Sequence, residues 1–293
     1  MIVANPLRPE GAKSGHLASD DAGAGEVEFA RVGSTTAVVR RLARSPLKLL
    51  TPHGPGAAAH VVTSTYGGGL LPGDDIRLGV VASEGTRAVL GTQASTKVYR
   101  SEHGAAARQS LRATVARDAV LAVLPDPVTC FAGARYEQRQ RFDLDSGASL
   151  LLVDWITAGR VACGERWAMR RYVADTRVNV HGSCVARDAL RLDPDDGPID
   201  APHRAGRFDC LATVMLVGEA FSPAAADVLR RVNAVPLRRR VGLLASGGGL
   251  PSGYPGVVVR AAGGTAEAVG RFLRELLAAA WEMLGEDPWA RRW

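Results

Sequence analysis

The sequence predicts a mainly β protein with a small helical part near its C-terminal end. Three observations predict it. Short runs of alternating apolar and polar residues recur along most of the chain, separated by turn-forming stretches, with 33 Gly and 16 Pro among 293 residues. Ser149 to Ile156 is a continuous apolar run broken only by Asp154, the pattern of a strand covered on both faces. Helical periodicity arrives late, in a strand, helix, strand, helix order that begins near Leu211. Read from the residues alone, this order predicts mainly antiparallel strands with one or two helices packed against them.

Residues 1–25 are polar, small and without period, and predict a disordered tail; residues 26–293 then form one β-rich domain. Glu26 to Ala30 and Thr36 to Leu42 alternate as strands, with a hairpin link through Gly33-Ser34 as the expectation. Leu47 to Leu50 and Ala58 to Thr65 flank a Pro/Gly loop. Ile76 to Ala82 places Leu78 and Val80 on one face, and Arg87 to Gln93 follows the turn at Glu84-Gly85. Further strands are predicted at Ala107 to Val115, Ala119 to Leu124 and Arg139 to Leu144. The cleanest alternation runs from Arg171 to His181, with Tyr172, Ala174, Thr176, Val178 and Val180 on one face. Leu190 to Pro202 reads as a turn-rich loop. Leu211 to Val217 and Val257 to Arg260 are strands around a first helix, where Ser222 is the expected cap, Pro223 takes the first turn and Ala224 to Val232 follows. Thr265 caps the second helix, whose stripe runs from Val269 through Trp281 to Leu284, with Gly285 as its stop.

The formal charge is +6, and 46% of residues are hydrophobic, enough for a large core. The arginines are spread along the chain with few aromatics among them, which argues for a solvated surface and an acidic protein partner rather than nucleic acid. Arg238-Arg239-Arg240, the densest run, reads as an exposed strand or loop edge. Cys130, Cys163, Cys184 and Cys210 form no C-x-x-C and fit no zinc framework, so mostly buried, reduced thiols of a cytoplasmic protein are expected. No signal peptide is expected, and no apolar run reaches membrane-spanning length.

Nothing in the chain resembles a catalytic constellation. The histidines and cysteines stand in no nucleophile motif, with His103 reading as a loop residue and Cys130 as core. Asp74-Asp75 and Asp195-Asp196 lie at turns, where carboxylates accept backbone N–H groups. No His-rich tract and no His pair at helical spacing offers a high-affinity metal site. Asp154 is the exception, because an acid inside an apolar strand is costly without a partner or water. The expected partner is an arginine such as Arg160 or Arg135, with a divalent cation as the alternative. Asp74, Glu137 and Glu165 are weaker candidates of the same kind.

The segment from Thr63 to Ser101 carries the most distinctive residues. It holds G-G-L-L-P-G-D (Gly68 to Asp74) and T-Q-A-S-T-K-V-Y-R-S (Thr92 to Ser101). A glycine-rich loop can cradle phosphate, but no Gly-Lys-Ser/Thr follows these glycines and no helix opens after them, so a nucleotide loop has little support. Lys97, Tyr99 and Arg100 form a polar strand edge that either meets a partner or closes the local fold. L-P-D-P (Leu124 to Pro127), F-A-G-A-R (Phe131 to Arg135), D-W-I-T-A-G-R (Asp154 to Arg160) and Gly164-Glu165 follow in order. In the F-A-G-A-R block, Gly133 reads as a backbone position. Together these blocks resemble the urease accessory protein family UreD, also called UreH. One block departs from the family's usual V-G-G-D, reading L-P-G-D here.

The resemblance implies a fold, a role and partners. The fold is two stacked layers of strands in a β-helix-like arrangement with a pair of helices. The role is non-catalytic: a scaffold that binds the urease apoprotein and UreF, which recruits UreG, the GTPase that carries nickel. It further implies a passage for Ni²⁺ toward the dinickel site of urease, with no tightly bound cofactor. On this reading Asp74, Asp154 and Glu165 line or brace a hydrated path, while Lys97, Tyr99, Arg100, Gly133, Arg135 and Arg160 serve partner contact or structure. The competing reading is a β-rich module that binds an anionic ligand through Arg100, Arg135 and Arg160.

Overall fold

The computed structural model describes residues 21–53, 56–234 and 242–290. The strands are β1 (Ala24–Val32), β2 (Thr35–Ala43), β3 (Leu47–Leu50), β4 (Ala59–Thr65), β5 (Asp75–Ala82), β6 (Arg87–Thr92), β7 (Thr96–Val98), β8 (Ala107–Val115), β9 (Val120–Leu124), β10 (Val128–Cys130), β11 (Arg135–Leu144), β12 (Ser149–Thr157), β13 (Arg171–Val180), β14 (Ser183–Leu192), β15 (Cys210–Val217), β16 (Leu243–Gly249) and β17 (Gly256–Gly263). The helices are α1 (Ser222–Asn233) and α2 (Ala266–Leu276).

The strands form two sheets, one ordered β14-β13-β11-β8-β5-β1-β2 and the other β16-β17-β15-β12-β9-β6-β4-β3, with β10 paired beside β12 and β7 beside β10. From β4 to β13 the chain winds as a solenoid, placing strands alternately in the two sheets. Each strand therefore lies parallel to the next one in its own sheet: β5, β8, β11 and β13 in the first, β4, β6, β9 and β12 in the second. This corrects the antiparallel expectation. Parallel strands usually need a helical crossover; here the crossover is a strand of the opposite sheet. Antiparallel pairs survive at the ends, in β1–β2, β3–β4, β13–β14 and the β12-β15-β17-β16 set. The solenoid turns stack, Asp145 N–H bonding Val115 O at 2.9 Å and Ala116 N–H bonding Ala82 O at 2.9 Å.

Two cores result. Between the sheets lie Phe29, Leu70, Leu121, Tyr136, Phe142, Leu150, Leu152 and Tyr172. Beyond the second sheet, Leu151, Val153, Trp155, Val214 and Leu216 meet Val228, Val232, Val269 and Leu273 of the helices. The second sheet is thus covered on both faces, which is why β9 reads as an unbroken apolar run and β12 as one broken only by Asp154. The first sheet turns one face to solvent, so β11 and β13 alternate.

Local differences have local causes. Residues 1–20 of the expected tail lie outside the described residues, and the fold begins at Ala24, ahead of the expected boundary. The last residues of β14 occupy the start of the stretch read as a loop, and β16 had no counterpart in the sequence reading. Arg238 to Arg240 lie outside the described residues. The expected cap Ser222 is already helical, at φ −56 and ψ −45, because a 3-10 turn (Glu219–Phe221) precedes it. Thr265 caps α2 as expected, its Oγ1 accepting Ala268 N–H at 3.1 Å. The apolar stripe then outlasts the α-helix, continuing as a 3-10 helix (Ala278–Met283) up to Gly285, which has φ +74. Cys130 and Cys210 are buried, but Cys163 and Cys184 are exposed. Among the described residues no helix is long and apolar enough to cross a membrane.

Candidate functional site

The inward faces of the two sheets are apolar except along one line. On the first sheet, β8 and β11 pair Gln109 with Gln138, and the register Gln140–Thr176–Asp188 crosses β11, β13 and β14. On the second sheet the register Asp154–Thr213–Arg260–Ser246 crosses β12, β15, β17 and β16. Both lines run across the strands, along the direction in which the solenoid grows. They face each other and form a polar seam through the core.

Asp154 sits at the middle of this seam. Its Oδ2 accepts Gln138 Nε2 at 2.7 Å and Gln140 Nε2 at 3.0 Å. Gln138 Oε1 in turn accepts the Tyr136 hydroxyl at 2.9 Å, and the same hydroxyl reaches Gln109 Oε1. Among the described residues no arginine forms an ion pair with Asp154, and Arg160 pairs with Glu165 instead, which corrects the expected pairing with Arg160 or Arg135. Burial between the sheets pushes the Asp154 carboxyl up to about 6; the amide of Gln138 pulls it back, the charge of Asp188 pushes it up, and the amide of Gln140 pulls it back. The same burial holds the Tyr136 and Tyr172 hydroxyls well above the ordinary tyrosine range.

Asp154 and Trp155 also form the wall common to two cavities. The first, of about 280 Å³, extends toward β3 and β4 past Gln109, Gln138, Thr63, Thr96 and Lys97. The second, of about 500 Å³, extends the other way past Tyr172, Asp188, Thr213 and Arg260. At its far side Arg260, mostly exposed, holds Asp188 Oδ1 through Nη2 at 2.5 Å, and Thr213 donates to Asp188 Oδ2 at 2.8 Å. The seam therefore joins the early coils to the β14 edge, with amides, hydroxyls and carboxylates along its length. Among the described residues, no group of three or more His, Cys, Asp or Glu side chains is placed to hold a metal ion. A divalent ion in the seam would meet hard oxygen donors singly, a setting for weak, exchanging contacts.

The structure does not bring Asp74 and Glu165 to this seam; neither lines the two cavities. Asp74 Oδ2 accepts Leu71 N–H at 2.7 Å and closes the glycine-rich turn, where Gly73 has φ +91. Glu165 accepts Arg160 Nε at 2.9 Å and Ala132 N–H at 3.1 Å, and the arginine bond above all holds its carboxyl below the usual range. Glu137 faces outward, 3.5 Å from Arg108.

The remaining motif residues gather at one corner of the solenoid, where its loops stack. Leu70 N–H bonds Lys97 O at 2.8 Å, Phe131 N–H bonds Val98 O at 3.0 Å, and Gly133 N–H bonds Ala168 O at 2.9 Å. Tyr99 packs edge-on against Phe131 at 5.3 Å, and the Arg160 guanidinium lies over the same ring, 4.2 Å from its centre. Arg100 runs beside Gly133, which has φ +75, and Arg135 opens β11 next to Arg171. Gly159 has φ +105, and a Cβ there would stand 2.6 Å from Glu165 O and 2.9 Å from Cys130 O, so this glycine lets the 158–167 loop fold onto its neighbour. Tyr66 and Leu71, 56% and 58% exposed, leave an apolar rim on the glycine-rich loop.

Sequence reasoning missed Gln109, Gln138, Gln140, Asp188, Thr213 and Arg260. One signal was present. The β11 alternation, followed back to Arg135, puts Gln138 and Gln140 on the same face as Tyr136 and Phe142. Two amides on a core face call for a buried polar partner.

The family model of the UreD urease accessory protein matches residues 21–293. The chain belongs to the UreD family. A urease accessory protein UreD of Sorangium cellulosum (strain So ce56) is 47% identical over 272 residues, covering 93% of this chain and 85% of the relative. Its counterpart in Anaeromyxobacter sp. (strain Fw109-5) is 46% identical, covering 92% and 89%. A urease accessory protein D of Arabidopsis thaliana is 32% identical, covering 91% and 99%. The likeness to these UreD proteins spans both sheets and both helices, so the seam lies inside the matched region.

Proposed function

We propose that this chain is a non-catalytic urease maturation factor, a scaffold that binds the urease apoprotein and UreF and passes Ni²⁺, delivered by the UreG GTPase, along the inter-sheet seam. The observation that carries the reading is Asp154, a half-buried carboxylate with no counter-cation among the described residues, in the wall between two cavities. A structural acid in such a place is normally paired with an arginine. Among the described residues Asp154 instead has only neutral amide partners, and its negative charge at neutral pH remains available to a passing cation. A carrier of this kind needs weak sites, because strong ones would retain the ion. Asp188, farther along, is a second carboxylate, but it is already held by Arg260 and Thr213. The stacked-loop corner, with Lys97, Tyr99, Arg100 and the exposed Leu71, suits a partner-facing surface. The rival reading, an anionic ligand held by Arg100, Arg135 and Arg160, has weaker support because Glu165 already neutralises Arg160.

The test is maturation of urease by the full accessory set with Asp154→Asn or Asp154→Ala in this chain. Nickel per urease active site should fall several-fold, while UreF and urease still co-purify with the variant. Normal nickel content in a variant that folds and retains both partners would remove Asp154 from the path. Loss of the partners together with nickel would point to scaffolding alone.

A further inference from the structure

The outer face of the first sheet carries a charge pattern that the seam does not use. Arg187, Arg177, Arg141 and Arg112 stand directly opposite one another on β14, β13, β11 and β8. All four are exposed, and Arg139 lies two residues from Arg141 on the same face. Like charges directly opposite in a sheet are unfavourable. Asp175 and Asp143 relieve part of that repulsion. Asp175 takes Arg177 at 3.2 Å and Arg187 at 3.1 Å, and Asp143 takes Arg141 at 2.8 Å. Both carboxylates are less exposed than the arginines above them. Arg112 and Arg139 have no ion pair among the described residues. The face thus presents a row of guanidinium groups outward, with its anions set beneath.

We infer that this arginine row is a docking surface for an acidic α-helix of a protein partner. The spacing favours a helix. Adjacent strands lie about 4.8 Å apart, so the row from β14 to β8 spans roughly 14 Å. Carboxylates at i, i+3, i+7 and i+10 of a helix span about 15 Å along one stripe. The same number of carboxylates on one side of an extended strand would span about 20 Å and fall out of step. Guanidinium groups suit carboxylates through paired hydrogen bonds. Among the described residues no aromatic side chain stands on this part of the face to stack bases, which disfavours single-stranded nucleic acid. The surface lies on the opposite side of the first sheet from the seam, so the inference stands apart from the nickel reading.

The experiment uses the full chain and two labelled alanine-based helical peptides of equal length and charge. One carries Glu at i, i+3, i+7 and i+10; the other has the same residues distributed around the helix. Fluorescence anisotropy should show the striped peptide binding about tenfold more tightly, with affinity falling as salt rises. Arg112→Glu with Arg139→Glu, checked for folding by circular dichroism, should abolish that preference; Arg112→Lys with Arg139→Lys should retain binding. Equal binding of both peptides, no binding of either, an undiminished preference in the folded Glu variant, or tighter binding of oligothymidylate would each overturn the proposal.

Discussion

Asp154 sets a pH dependence whose sign can be worked out. Its carboxyl rises from 3.8 to about 6 on folding, with burial as the largest cause. Below the lower value both states hold the proton and nothing is lost. Between the two values the unfolded chain releases its proton first, so stability falls as pH rises, and the loss persists above pH 6. At about 1.36 kcal/mol per unit the penalty is on the order of 3 kcal/mol. Asp154→Asn should therefore gain stability relative to the native chain above pH 6 and converge with it near pH 4, as read by urea unfolding across that range. Lowered carboxyls such as Asp143, held down chiefly by Arg141, act in the opposite direction and cancel in this difference. Gly159→Ala should cost about 1–3 kcal/mol through its left-handed backbone, seen as a lower Tm. Asp154 was legible because one polar residue interrupts an apolar run. Its true partners were not, because the amides belong to a different strand and only folding opposes them.

At the level of elements, the helical layer invites the clearest tests. Leu273 is fully buried between α2 and the second sheet, so Leu273→Ala should destabilise the protein by about 2–5 kcal/mol in denaturant unfolding. Thr265→Ala removes the cap of α2 and should cost about 1 kcal/mol, with Thr265→Ser restoring most of it. Both features were readable because a cap and an apolar stripe are contained within one segment. Ser222 misled for the same local reason: it has the right chemistry for a cap, but the preceding 3-10 turn had already committed it to the helix. β16 could not be read at all. Its Leu-Leu-Ala-Ser-Gly-Gly-Gly sequence has little strand preference, and its hydrogen bonds come from β17 beside it.

For the molecule as a whole, the solenoid predicts an order of protection. Amides of β6 and β9 lie between parallel neighbours in the doubly covered sheet and should exchange slowest by hydrogen–deuterium mass spectrometry. Amides of β2 and β16, at sheet edges, should exchange first. Equal protection of edge and central strands would mean that the coils do not unfold from their margins. Residue order alone established that the chain is mainly β, where most strands and both helices begin, and, through its ordered blocks, the family it resembles. The direction of pairing was decided only by tertiary structure, because inward–outward alternation is the same for a parallel and an antiparallel strand. The seam had the same origin. Gln138, Asp154, Asp188, Thr213 and Arg260 are separated along the chain, and only the stacking of successive coils places them on facing rows.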